Sequence, residues 1–166
     1  MRKPFPKTGA DWPTLDAAMS EMSEADIDWR QGRAPLYVFH GSDAAHEVGR
    51  QAFMKYFSEN ALGGRRAFFG LKRMEDEVVE MGLDLFQAPD GAVGNLTTGG
   101  SESICMAVKA CRDWARTQSH IKPPFNIVAP FSAHAAFNKA ADVMDMTVRR
   151  LPTGEDRRAD PDAMAD

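Results

Sequence analysis

Leu15, Ala18, Met19 and Met22 recur at three- and four-residue spacing, which predicts a helix over residues 14–28. Residues 1–13 hold three prolines and no period, so they read as an extended arm. After a short apolar run at 36–39, Ser42 stands as an N-cap before residues 43–60, where Val48, Ala52, Phe53, Tyr56 and Phe57 share one helical face. The stretch GGRRAFFG (63–70) breaks that rhythm and reads as a loop. A further helix over 71–86 is expected to bury Met74, Val78, Met81 and Leu85.

Beyond APDG (88–91) the period changes. Residues 92–97 are short and β-leaning, 101–117 is helical, and NIVAP (126–130) is a brief apolar strand with a proline stop. AHAAFNKAADVMDM (133–146) returns to helix, and TVRRLP (147–152) reads as a third strand. Strands alternating with helices imply βαβ units, hence an α/β fold with a mostly parallel sheet and flanking helices. ADPDAMAD (159–166) begins one more helix, with Asp160 as its cap and Pro161 in its first turn. A helix that starts as the sequence stops suggests a fragment of a longer protein.

Composition narrows the function classes. The 166 residues are 43% apolar and 27% charged, enough for one core, with a net charge of −4 that argues against a nucleic-acid partner. Cys105 and Cys111 fall six apart in one predicted helix, too far around its axis to bridge each other. No signal-peptide core and no membrane-length apolar run is present, so a cytoplasmic protein is expected. His40, His46 and His120 lack metal-like spacing, and no metal is expected.

Candidate chemistry centres on TTGGSES (97–103), at the mouth of the 101–117 helix. The first N–H groups of a helix lack intrahelical acceptors, and glycine lets a ligand approach them closely. By itself the string fits either an anion cradle or a plain glycine turn with a serine cap; it matches neither dinucleotide nor P-loop fingerprints. Its neighbours add a second layer. TTGGSES with MAVKACRD (106–113), then APFSAHAAFNKAADVMDM (129–146), and before both KRMEDEVVEM (72–81), resemble the pyridoxal-phosphate-dependent group that contains the amino acid decarboxylases and the sphingosine-1-phosphate lyases. These blocks span about residues 36–152 and look most like the lyase branch.

That resemblance implies the large domain of the aspartate-aminotransferase type (fold type I), begun at residues 71–166 and preceded by an N-terminal arm and helical segment at 1–70. It places Gly99, Gly100 and Ser101 on the phosphate of pyridoxal 5'-phosphate, and His134 stacked over its ring. Ser132 assists, and Asn60 lies near the cofactor. Without the resemblance, His134 in an alanine-rich helix start reads as a core or capping residue. The Schiff-base lysine and the aspartate that partners the ring nitrogen are expected beyond residue 166, and Lys139 is not that lysine. The implied activity is carbon–carbon cleavage of a phosphorylated sphingoid-type amino alcohol by a homodimer. Amino acid decarboxylation is the alternative, and a non-catalytic scaffold is the alternative for the 166 residues alone. One departure stands out: relatives carry Asn-Pro-Leu-His-Pro where this chain has NALGG (60–64), with Gly63 at the histidine position.

Overall fold

A computed structural model describes residues 4–34, 37–60, 62 and 66–165. Its contacts divide into two units, Met1–Lys72 and Arg73–Asp166. Leu36 and Gly63, both singled out above, lie outside the described residues.

Among its described residues the first unit holds two complete α-helices and the start of a third. Helix α1 (Trp12–Ser23) starts where the Asp11 carboxylate accepts the Thr14 N–H at 3.1 Å. It is shorter than the period suggests, because Asp28 caps a separate 3-10 turn (Trp29–Gln31) by accepting the Arg30 N–H. Helix α2 (Asp43–Lys55) is capped as expected: the Ser42 hydroxyl oxygen accepts the Ala45 N–H at 3.1 Å. It stops before residue 60, with Tyr56 closing onto Phe53 O. The Trp29 ring lies 5.3 Å from both His40 and His46, tying the 3-10 turn to the start of α2.

Helix α3 (Phe69–Leu85) begins inside the stretch read as a loop and continues through the first turns of the second unit. Met74, Val78, Met81 and Leu85 remain exposed, contrary to expectation, since nothing among the described residues covers their face. The α3 residue Val79 instead receives the following segment. A Cβ built on Gly94 would stand 2.9 Å from Val79 Cγ1, so this glycine is what lets the chain pass so close.

The rest of the second unit is a βαβ unit with one helix packed on it. Helix α4 (Gly100–Thr117) is followed by β1 (Asn126–Pro130), α5 (Ala136–Val143), β2 (Thr147–Leu151) and the short α6 (Pro161–Ala165). Strands β1 and β2 pair in parallel, Asn126 opposite Thr147 through Pro130 opposite Leu151. Helix α5 packs on both strands and on α4. Its buried face is Ala136, Ala140 and Ala141, and the core is completed by Val108 of α4 and Ala129 of β1. Small side chains let the helix lie close to the sheet. Of the three expected strands, the first, at 92–97, is absent among the described residues. An extended segment becomes a strand only by pairing, and no described strand lies beside it. Helix α6 starts as read, with the Asp160 carboxylate accepting the N–H groups of Asp162 and Ala163. Among the described residues, no helix is long and apolar enough to cross a membrane.

Candidate functional site

Two turns in the second unit carry five of the six expected residues. The first is the entry to α4. Gly99 is the N-cap residue, and the Ser103 N–H makes the first helical bond, to Gly99 O at 3.0 Å. The N–H groups of Gly100, Ser101 and Glu102 therefore precede the helical ladder and point outward at the positive end of an 18-residue helix. A Cβ built on either glycine would meet no atom within 4 Å, so the approach to these amides is open. The Ser101 side chain is exposed.

Side chains flanking the glycines brace this turn. Thr97 Oγ1 donates to Gly99 O at 3.1 Å and is hydrogen-bonded to Ser103 Oγ at 2.6 Å. The Glu102 carboxylate reaches back to Thr98, accepting its N–H and its hydroxyl, each at 2.6 Å. Those two donors, the hydroxyl foremost, hold the Glu102 carboxyl below the ordinary carboxylate range. Its charge is thus engaged on Thr98, N-terminal to the free amides, in a variant of the capping box.

The second turn joins β1 to α5 and carries Ser132 and His134. Both are exposed. His134 Nδ1 accepts the Ala136 N–H at 3.0 Å, so the imidazole caps α5. A nitrogen that accepts carries no proton, which puts the proton of the neutral ring on Nε2. The cap uses one in-plane nitrogen and leaves a face of the ring free. Beneath the turn, Arg150 of β2 donates from Nη1 to Pro130 O at 2.8 Å and to Ala133 O at 2.9 Å. Its Nη2 reaches Asn138 Oδ1 and, more distantly, His134 O.

The structure thus sets Gly99, Gly100 and Ser101 at the N-terminus of one helix, and Ser132 and His134 just ahead of the helix packed against it. No hydrogen bond among the described residues joins the two turns directly. Asn60 is exposed and belongs to the first unit. Lys139 is an exposed residue of α5. A cavity of about 590 Å³ opens elsewhere, between α4 and the sheet, lined by residues such as Val108, Cys111, Trp114, Ile127 and Phe137; it includes none of the expected site residues. Arg150 is the residue that sequence reasoning missed. Its one local signal is alternation, which puts it on the same side of β2 as the half-buried Val148.

No family model matches the chain. Individual proteins do. The chain is 37% identical to sphingosine-1-phosphate lyase 1 of Rattus norvegicus over 162 residues, 98% of this chain and 28% of the rat protein. It is 39% identical to the Drosophila melanogaster sphingosine-1-phosphate lyase over 124 residues, 75% of this chain and 22% of that one. A probable L-tyrosine/L-aspartate decarboxylase of Methanothermobacter thermautotrophicus is 33% identical over 121 residues, 73% of this chain and 31% of that protein. Among solved structures, a sphingosine-1-phosphate lyase of Burkholderia pseudomallei superposes with a TM-score of 0.77 at 28% identity, covering 98% of this chain and 39% of that one. The chain spans less than a third of the length of the curated relatives it matches. By sequence and by fold the chain is, along nearly its whole length, a homologue of part of the sphingosine-1-phosphate lyases, and over about three quarters of its length a homologue of part of the archaeal decarboxylase.

Proposed function

We propose that the protein acts, as a pyridoxal-phosphate-dependent carbon–carbon lyase, on a phosphorylated sphingoid-type amino alcohol, releasing an aldehyde and phosphoethanolamine. The observation that carries this reading is the 37% identity to a sphingosine-1-phosphate lyase over 98% of the chain. In this reading residues 71–166 begin the large domain of the fold type I enzymes and 1–70 form an arm and helical segment ahead of it.

The residues present fit the cofactor. Outward N–H groups at Gly100 and Ser101, open approach over two glycines and a helix dipole together suit a phosphate dianion. When bound, pyridoxal phosphate supplies the electron sink for the bond broken next to the substrate amine. The chain's own part is to hold and orient. Gly99, Gly100 and the Ser101 hydroxyl fix the phosphate, while Glu102 keeps its charge on Thr98 and away from it. His134 would cover the ring, with Nε2–H left as a donor by the bond at Nδ1, and Ser132 would offer a hydroxyl to assist. Asn60, of the first unit, is assigned to the cofactor by resemblance. The lysine that tethers the cofactor and the acid that partners its ring nitrogen fall after residue 166, and the active protein is a homodimer.

Product analysis with the full-length protein tests the proposal. A long-chain aldehyde together with phosphoethanolamine, from a phosphorylated long-chain amine, is the expected result. Carbon dioxide from an amino acid, with no aldehyde, would move the protein to the decarboxylases. That second reading is favoured by the 33% identity to the archaeal decarboxylase and by NALGG at 60–64, which lacks the histidine found in lyase relatives.

A further inference from the structure

Arg150 stands out in the second unit because its guanidinium is half-buried and turned toward neutral oxygens. Among the described residues no carboxylate pairs with it. Its donors run instead to Pro130 O at 2.8 Å, Ala133 O at 2.9 Å, His134 O at 3.5 Å and the Asn138 side-chain carbonyl. These acceptors are the last residue of β1, two residues of the connecting turn and the first turn of α5. One side chain on β2 thereby gathers every part of the segment that presents His134.

A ring that covers a flat ligand needs its plane fixed, and two constraints do this here. The bond from the Ala136 N–H to Nδ1 sets the ring against its own helix. The bonds from Arg150 set the backbone from which the ring projects. We propose that Arg150 is the positioning residue for the His134 imidazole, a role that rests on the cofactor-facing reading of His134 given above. The planar two-nitrogen fork is what the geometry requires. Nη1 serves two carbonyls while Nη2 serves a third and an amide, whereas a lysine ammonium is a single point and cannot reach both groups.

The experiment compares Arg150→Lys with His134→Ala in the full-length protein. In the apo form, amide hydrogen exchange at residues 133–136 should quicken about tenfold in Arg150→Lys, the loss of roughly one charge-assisted hydrogen bond, while α4 exchanges as before. In the holoenzyme, the induced circular dichroism of the bound cofactor should move toward that of His134→Ala. With a phosphorylated long-chain amine, kcat should fall at least about tenfold at nearly constant KM, because misplacing an orienting group damages the transition state more than binding. Unchanged exchange in the turn overturns the inference. So does a holoenzyme whose melting temperature falls while its cofactor dichroism stays as in the parent, since that describes a strut and no more. If Arg150→Lys leaves the dichroism alone but His134→Ala alters it, the inference fails and the reading of His134 stands. If His134→Ala itself leaves the dichroism unaltered, the imidazole does not face the cofactor and both fall.

Discussion

Replacing Ala140 by leucine probes the packing that holds the His134 turn in place. Ala140 is 2% exposed, on the face of α5 that meets α4, β1 and β2. Leucine is nearly as good a helix former as alanine, so the backbone of α5 is not at issue. Three added carbons have nowhere to go, because Ala136 lies one turn before on the same buried face and Ala141 beside it is equally enclosed. Overpacking of this kind costs about 1–3 kcal/mol. For a unit of this size each kcal/mol lowers the melting temperature by about 4–8 °C. The control is Lys139→Leu, one residue away and exposed, which should stay within about 0.5 kcal/mol of the parent. Urea denaturation at constant m-value gives the difference. Equal midpoints for the two leucine variants would mean that α5 does not lie on the sheet through its alanine face, and the placement of His134 would lose its support.

Three further outcomes are expected. Gly94→Ala should destabilise the second unit by about 1 kcal/mol through the contact with Val79, and Val79→Ala in the same chain should restore part of the loss, a coupling that a double-mutant cycle in urea reads directly. Ser42→Ala should cost about 1 kcal/mol by freeing the Ala45 N–H, seen as faster amide exchange confined to the first turn of α2. The Glu47 carboxyl is lowered to about 2, first by the Arg50 side chain and then by Gln51. A depressed carboxylate contributes stability above its unfolded value of 4.5, and that contribution is lost as pH falls from 4.5 toward about 2. Because the pair is exposed, added salt should weaken it. NMR titration should find the Glu47 midpoint back in the ordinary carboxylate range in Arg50→Ala; an unmoved midpoint would refute the pairing.

Elements that announce themselves by a local signal were legible in the sequence. Ser42, the glycine entry to α4, the apolar NIVAP run and Asp160 before Pro161 each satisfy or terminate backbone groups within a few residues, and the structure begins or ends its elements there. The parallel pairing of NIVAP with TVRRL was also legible, from the alternation of strand and helix; the misses lie chiefly where an element depends on a distant partner. Residues 92–97 have strand-like composition, but a strand is a pairing, and nothing local reveals whether a neighbour exists. Helix α1 ran too long on paper because its apolar period continues past Ser23, while Asp28 prefers to accept the Arg30 N–H and cap a turn of its own. The apolar face of α3 was correctly located, yet burial is a property of the covering surface as much as of the face.

The two turns of the candidate site divide along the same line. The TTGGSES turn was readable because its chemistry is intrinsic to a helix start: the same bare amides exist whatever surrounds them. His134 was readable as a cap from its place before α5, and the structure makes it one through Nδ1. Capping and covering a flat ligand do not compete, since one uses the edge of the imidazole and the other its face. A histidine that performs the first is better prepared for the second, because the cap removes freedom the ring would otherwise lose on binding. Arg150 could not be read this way. Its acceptors lie twelve to twenty residues earlier in the chain and reach it only across the parallel pairing of β1 with β2. The imidazole's edge is therefore fixed by neighbours in sequence and its backbone by a neighbour in the sheet, so a slip in the register of β2 would displace the His134 turn while leaving the glycine turn of α4 untouched.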